Sequence, residues 1–423
     1  MVVESHLIRV LRNRNFFALW IGQIISQFGD RLAQMGLVGI YLQETRGVSV
    51  ANSVPLIRNL FFFSTLPILV FSPIAGVYID RWKRKNVLVL TDLLRAGLIL
   101  LIPLFRQYTK DMSFIYLVIF LVFAVTCFFT PAKSAFIPEL VKKKQLLAAN
   151  SLSNITRILA MIGGVSIGGL IVARLGVTSS FVLDSLSFVV SGFAILFIRI
   201  EENPGAPKNK SPGLIAKIGK EILQGLLFIK EERRILFLAV TLVILMGASG
   251  LAYVLVTVLV TRELGMGTFG LGIVASTLGI GMIGGSLIYG HMGTNLPKET
   301  VILVSTLIAG ISALILSGIK SIVWLATGIF LVGFVASIIM VATHTLTQEV
   351  TPNKLRGRVF SGLEIVINAS FLVFVWMAGV LGSKYSLSMI FYGTGAILVL
   401  YSSLFLLVKL IRRDAGDASL HLI

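Results

Sequence analysis

Twelve long apolar runs divide this chain, and they restrict what it can fold into more than any other feature. Each is long enough to approach or exceed the roughly 20 residues a helix needs to cross the hydrocarbon core of a bilayer. Bounded by charges and turn residues, they cover 16–42, 55–79, 86–106, 113–134, 149–174, 178–199, 235–262, 268–291, 300–319, 322–347, 360–383 and 387–409. The runs are continuously apolar and lack the period-2 alternation of a membrane β-barrel, so the predicted class is an all-α polytopic membrane protein. Composition excludes the soluble alternatives: 56% of the 423 residues are hydrophobic and 13% charged, against about 25% charged in soluble domains.

The charge balance is +18, from 37 Lys and Arg against 19 Asp and Glu. In a soluble protein that excess suggests nucleic acid; here it follows the membrane rule that cations gather in cytoplasmic loops. With the N-terminus placed inside, the inner loops hold 26 Lys and Arg and the outer loops 7, so both termini are predicted to be cytoplasmic. The inner set includes Lys133, counted with the loop that ends at Lys144. Four arginines fall within runs: Arg31, Arg58, Arg95 and Arg157. The first run, behind Arg9, Arg12 and Arg14, is longer than a signal-peptide core and has no small-residue cleavage site.

The longest hydrophilic stretch, 200–234, divides the runs six and six. Its first part, with Pro204, Pro207 and Pro212, reads as a linker. Its second part sets Ile215, Ile218, Ile222 and Leu226 at helical spacing opposite Lys217, Lys220 and Glu221, the pattern of an amphipathic helix along the inner leaflet. The predicted organisation is a six-helix bundle over 1–199, a cytoplasmic linker over 200–234 and a second six-helix bundle over 235–423. Two halves of this kind are the arrangement of parallel-repeat transporters. A faint internal echo accompanies it: at an offset of 210, Glu139 after the fourth run aligns with Glu349 after the tenth, and Ser151 with Ser361.

Ionisable residues inside the runs are the candidate functional groups, because a charge at the bilayer centre costs roughly 2.5–3.5 kcal/mol on insertion scales and usually faces a cavity or a partner. Asp30, in QFGDR, sits mid-run. It reads as a cavity carboxylate that takes up and releases a proton, or as a structural partner of Arg31; Gly29 beside it permits close helix approach. Asp92 and Arg95, three apart, share a helix face and form a predicted buried cluster with Arg157, which alternatively binds an anionic substrate. Asn154, His344, Gln348, Asn368 and Asp184 line a cavity or satisfy helix–helix hydrogen bonds. The histidines (His6, His291, His344, His421) are scattered, and the single Cys127 lies in an apolar run, so neither a metal centre nor a disulfide framework is expected. The phosphate-cradling pattern GxxxxGK[ST] is absent, which removes ATP as the direct energy source.

The loop GVYIDRWKRK (76–85) resembles the G-x-x-x-D-R-x-G-R-R signature of the major facilitator superfamily, with Gly76, Asp80, Arg81, Arg84 and Lys85 in place and Lys83 where the family prefers glycine. GVSIGG (164–169) resembles the G-P-x-x-G-G motif of drug:proton antiporters, with Val165 in the proline position. FFALWIGQIISQFGDRLA (16–33), DLLRAGLILLIPL (92–104), FFTPAKSAFIPELV (128–141) and PNKLRGRVFSG (352–362) are similar to the branch that holds macrolide-efflux and enterobactin-exporter proteins.

The resemblance implies twelve transmembrane helices in two bundles and transport by alternating access, with the proton gradient rather than a cofactor as the energy source. One charge moved across 100 mV is worth about 2.3 kcal/mol. It implies that Asp80 meets the start of the eleventh helix and holds the outward-open state. Gly76, Arg81, Arg84, Asp92, Arg95, Glu139, Arg356, Arg358 and Glu364 join it in a conformational latch. Gly164, Gly168 and Gly169 are implied to be helix-packing positions. The expected function is export of a small amphiphilic or hydrophobic compound from the inner membrane of a bacterium by proton antiport. A lipid or lysophospholipid flippase is the alternative, since a Phe-rich cavity also admits a lipid. Membrane lipids and the transported small molecule are the expected partners; nucleic acid is not, and a monomer suffices. A membrane-embedded enzyme would need a compact set of nucleophile, base or metal ligands, and none is legible.

Overall fold

The computed structural model describes residues 6–79, 82–108, 111–142, 145–200, 214–292, 296–318, 321–352 and 355–414. The helices, in chain order, are α1 (His6–Leu11), α2 (Arg14–Glu44), α3 (Val50–Ile79), α4 (Arg84–Arg106), α5 (Met112–Leu140), α6 (Leu146–Leu159), α7 (Val165–Leu175), α8 (Val177–Leu196), α9 (Leu214–Glu231), α10 (Arg233–Val258), α11 (Gly267–Met292), α12 (Lys298–Ser317), α13 (Ile322–Val350), α14 (Arg356–Lys384) and α15 (Leu387–Asp414). A π-helical turn, Ala160–Gly164, fuses α6 to α7, and another, Leu259–Glu263, extends α10. Every apolar run of the sequence corresponds to one helix or fused pair. Among the described residues, eleven of these are apolar and long enough to cross a membrane. α2 is as long as the others, but Gln23, Gln27, Asp30, Arg31 and Gln34 dilute its apolar character.

Local chemistry sets the ends. Asn13 caps α2, its Oδ1 accepting from the backbone N–H groups of Asn15 at 3.0 Å and Phe16 at 3.2 Å, while its Nδ2 donates to the Leu140 carbonyl at 2.6 Å. Asp111 caps α5 by accepting from Ser113 N at 2.9 Å. These side chains satisfy N–H groups that a helix start leaves without partners. Gly176, at φ +85°, makes the tight turn between α7 and α8, a conformation that costs residues with a Cβ more.

The chain forms two compact units. The first comprises 1–47, 59–210 and 266–275; the second comprises 48–58, 211–265 and 276–423. Within the first, α8 packs along α2 and α4, α5 packs on α4, and α7 on α2. Within the second, α15 packs on α12, α13 on α12, and α14 on α10. Helices at equivalent places in the two halves thus choose equivalent neighbours. Apolar side chains fill both interiors. Phe16, Leu88, Phe136 and Ile195 are buried together in the first unit, and Leu238, Ile302, Leu346 and Val359 in the second.

Two expectations change in detail. α5 continues to Leu140, beyond the 113–134 run and through Pro138, with Phe136, Ile137 and Leu140 buried in the core of the first unit. Lys133, counted with the loop cations although it falls in the 113–134 run, is a half-buried helical residue. α9 does not present a wholly free face: Gly225 lies against the Arg358 backbone, Leu226 and Ile229 pack with Val359 and Leu363, and Gln224 Oε1 accepts from Arg358 at 2.6 Å.

Candidate functional site

The polar interior of the first unit is built on a seam between α2 and α8. Gly22, Gly29 and Gly36 recur every seven residues on α2, which keeps one face toward a neighbour. A Cβ at any of them would press on a serine of α8: Ser191, Ser187 and Ser180 respectively. At Gly29 it would also meet the Asp184 carboxylate. The missing side chains bring α8 close enough to bury Ser180, Asp184, Ser187 and Ser191 against α2, with Gln23 and Ser26 facing them.

α4 completes the cluster. Asp92 is fully buried and Arg95 is 2% exposed. They form an ion pair within one helical turn, and the Arg95 guanidinium lies between two rings, 4.3 Å from the centroid of Phe129 and 4.2 Å from that of Phe188. Stacking of this kind holds the cation by its flat faces while its edge hydrogen-bonds. Asp30 is half-buried on α2, and among the described residues its carboxylate has no hydrogen-bond donor. The charges of Arg95, Arg31 and Lys133 act on it. Asp184 lies within reach of the charges of Asp30, Arg95 and Asp92. One helix bundle thus gathers three acids on three helices around one enclosed arginine.

The other residues singled out by sequence take different places. Arg157 is exposed and not part of the buried pair, although its charge reaches Lys133. Arg31 Nη1 donates to Gln34 at 2.8 Å, and its stem lies over Gly164. Gly168 packs on the α2 backbone at Arg31 and Leu32, and Gly169 on Thr268, whose hydroxyl donates to the Gly169 carbonyl at 3.0 Å. His344 is exposed and stacks on Phe360 at 5.5 Å; Asn368 donates to the Glu364 carbonyl at 2.8 Å, one turn back on α14. Asp80 and Arg81 lie outside the described residues, as do the burial of Gly76 and the side chains of Asn154 and Arg356.

Arg84 and Glu139 form an ion pair that ties the first residue of α4 to the end of α5. The second unit repeats it with Lys298 at the first residue of α12 and Glu349 at the end of α13, 3.1 Å apart. The sequence echo at Glu139 and Glu349 therefore marks a repeated ion pair. Sequence reasoning underweighted Asp184 and misplaced Lys133. The seven-residue spacing of Gly22, Gly29 and Gly36 was the signal that α2 meets a small-residue helix.

Comparison with known proteins places these features. Residues 7–422 match the family described as transmembrane secretion effector. The MFS-type transporter YkuC of Bacillus subtilis is 25% identical over 403 residues, covering 92% of this chain and 91% of its own. A chain of the same organism described as a candidate bacilysin exporter, BacE, is 24% identical over 94% of each chain. Macrolide efflux protein A of Streptococcus pyogenes is 26% identical over 52% of each. Among solved structures, the nucleoside transporter NupG superposes with a TM-score of 0.70 at 12% identity, over 92% of this chain and 99% of its own.

Proposed function

The chain belongs to the transmembrane secretion effector family, within the major facilitator superfamily, and on that footing we propose that it exports a small amphiphilic or hydrophobic compound by proton antiport and alternating access. The fold is that of a multi-pass membrane transporter. The observation that carries the proton-coupled reading is the cluster of Asp30, Asp92, Arg95 and Asp184 inside one apolar bundle. Ionisable groups are costly at such depth and mark proton or ion pathways. Among the described residues, the buried polar groups of the second unit are hydroxyls, such as Thr241, which shares a hydrogen bond of 2.7 Å with Tyr401. Coupling is accordingly assigned to the first unit.

Asp30 is the carboxylate that exchanges its proton with water, being only half-buried. Arg95 limits the charge imbalance while it does so, and its pair with Asp92 keeps the guanidinium in place. Arg31 and Arg157 border the same region and bias it toward neutral or anionic substrate groups. The names of the relatives, in which macrolide and bacilysin appear, support export of a small molecule. The location that fits is the plasma membrane of a bacterium, with both termini cytoplasmic, on the strength of the 26 to 7 cation asymmetry.

Purified protein in liposomes with an imposed pH gradient tests this. The panel comprises a macrolide, a catecholate siderophore, a lipophilic cation and a fluorescent lysophospholipid, with internal pH recorded. Substrate movement with opposing proton flow is the expected result, and Asp30→Asn abolishes the gradient-driven part while leaving the protein inserted. Lysophospholipid movement indifferent to the gradient would replace this reading with lipid flipping. Full gradient-driven efflux by Asp30→Asn would remove Asp30 from the proton path.

A further inference from the structure

Asp184 is left unused by the mechanism above, yet it is the most enclosed carboxylate of the cluster after Asp92, at 1% exposure. Its hydrogen bonding is unusual for an ionised group. Oδ2 is buried with no partner among the described residues. Oδ1 is 3.3 Å from Ser187 Oγ, but that hydroxyl also lies 2.7 Å from the Asp184 backbone carbonyl. A serine hydroxyl has one hydrogen to give, and the carbonyl, which can only accept, takes it at the shorter distance. The carboxyl group therefore receives at most the weaker share of a three-centre bond at Oδ1 and, among the described residues, nothing at Oδ2, too little to support a buried negative charge and sufficient for a neutral acid. The cations nearby do not contradict this. Arg95 is committed to Asp92 and sandwiched by Phe129 and Phe188.

We propose that Asp184 is a second proton-carrying residue, held as the neutral acid in this conformation and ionised in another stage of the cycle. The inference rests on the exporter reading and deepens it by assigning a further site for the coupling ion. The step is a simple transfer: the acid O–H bond breaks, the proton passes to a water admitted beside α8, and the carboxylate that remains is later reprotonated by water from the other side. The groups facing Asp184 make this conditional on movement. α2 brings Asp30 at mid-helix, with Arg31 beside it turned toward Gly164 and Gln34, and α4 brings Asp92 and Arg95. α7 brings only Arg174, exposed near its far end. Asp30 and Asp92 oppose a third negative charge and Arg95 favours it, so ionisation requires Arg95 to turn from Asp92 or water to enter at Gly29.

The test is infrared spectroscopy on the full chain in liposomes, followed by transport. The Asp30→Asn protein, which removes the more accessible acid, is expected to keep a carbonyl-stretch band of a protonated aspartic acid at neutral pH. That band bleaches as pH rises and is missing from Asp30→Asn/Asp184→Asn. A spectrum of the Asp30→Asn protein without any such band overturns the inference, and needs no second variant to fold. For a panel compound that the wild type moves against protons, Asp184→Asn is expected to keep substrate exchange and lose gradient-driven accumulation. Undiminished accumulation by Asp184→Asn overturns the inference and leaves the exporter reading intact. Wild-type transport without proton flow removes both.

Discussion

Arg95 shows how one residue can organise a buried site. Its guanidinium edge meets Asp92 while its faces meet Phe129 and Phe188, so attraction and packing act on the same group. Removing one partner of a buried pair leaves an uncompensated charge and costs about 3–5 kcal/mol, whereas replacing both by apolar or neutral groups is often tolerated. Arg95→Met is therefore expected to lower the thermal unfolding midpoint of the detergent-solubilised protein sharply. Asp92→Asn/Arg95→Met should recover most of the loss, and a double variant no better than the single would place the stabilisation in the ring contacts. The sequence already marked Asp92 and Arg95 as one face of one helix. It was silent on the aromatic rings, which come from α5 and α8, and it singled out Asp184 only as one of several cavity-lining or helix-pairing residues, because its serine neighbours look like ordinary helix-packing residues in one dimension.

At the scale of elements, the α2–α8 seam decides where the charges sit. Gly29 has Ser187 and Asp184 where a side chain would be, and extra atoms in a well-packed interface typically cost 1–3 kcal/mol, about one to two powers of ten in an equilibrium constant. Gly29→Val should lower the unfolding midpoint and impair transport together, while the same change at Gly97, where a Cβ meets nothing, should leave both near wild type. Equal effects at the two positions would contradict the seam. The helices themselves were legible as apolar runs, but not their ends. α5 has 29 residues, about 43 Å at 1.5 Å per residue, longer than a hydrocarbon core of about 30 Å. Hydropathy senses the membrane and stops there. The helix does not, and so Glu139 is helical.

At the scale of the molecule, the two halves repeat a pattern of neighbours and an ion pair at matching helix ends, Arg84 with Glu139 and Lys298 with Glu349. Among the described residues, the fully buried acid–arginine pair lies in the first unit, so the repeated architecture carries different chemistry in the two halves. The topology expected from the cation asymmetry is checked by fusions at the C-terminus: a green fluorescent protein should fluoresce and an alkaline phosphatase should be inactive. The opposite pair of results would invert the orientation and, with it, the direction assigned to the proton.

The sequence by itself determined the twelve crossings, their division into two sets of six and the presence of unusual charges in the first set. Each of these follows from the cost of moving polar groups out of water, which is local and additive along a chain. Which charges meet was decided only by the tertiary structure. Asp30, Asp92 and Asp184 are far apart in sequence, and whether they share one interior depends on how closely α2, α4 and α8 approach. That distance is set by glycines and serines whose significance lies in what stands opposite them.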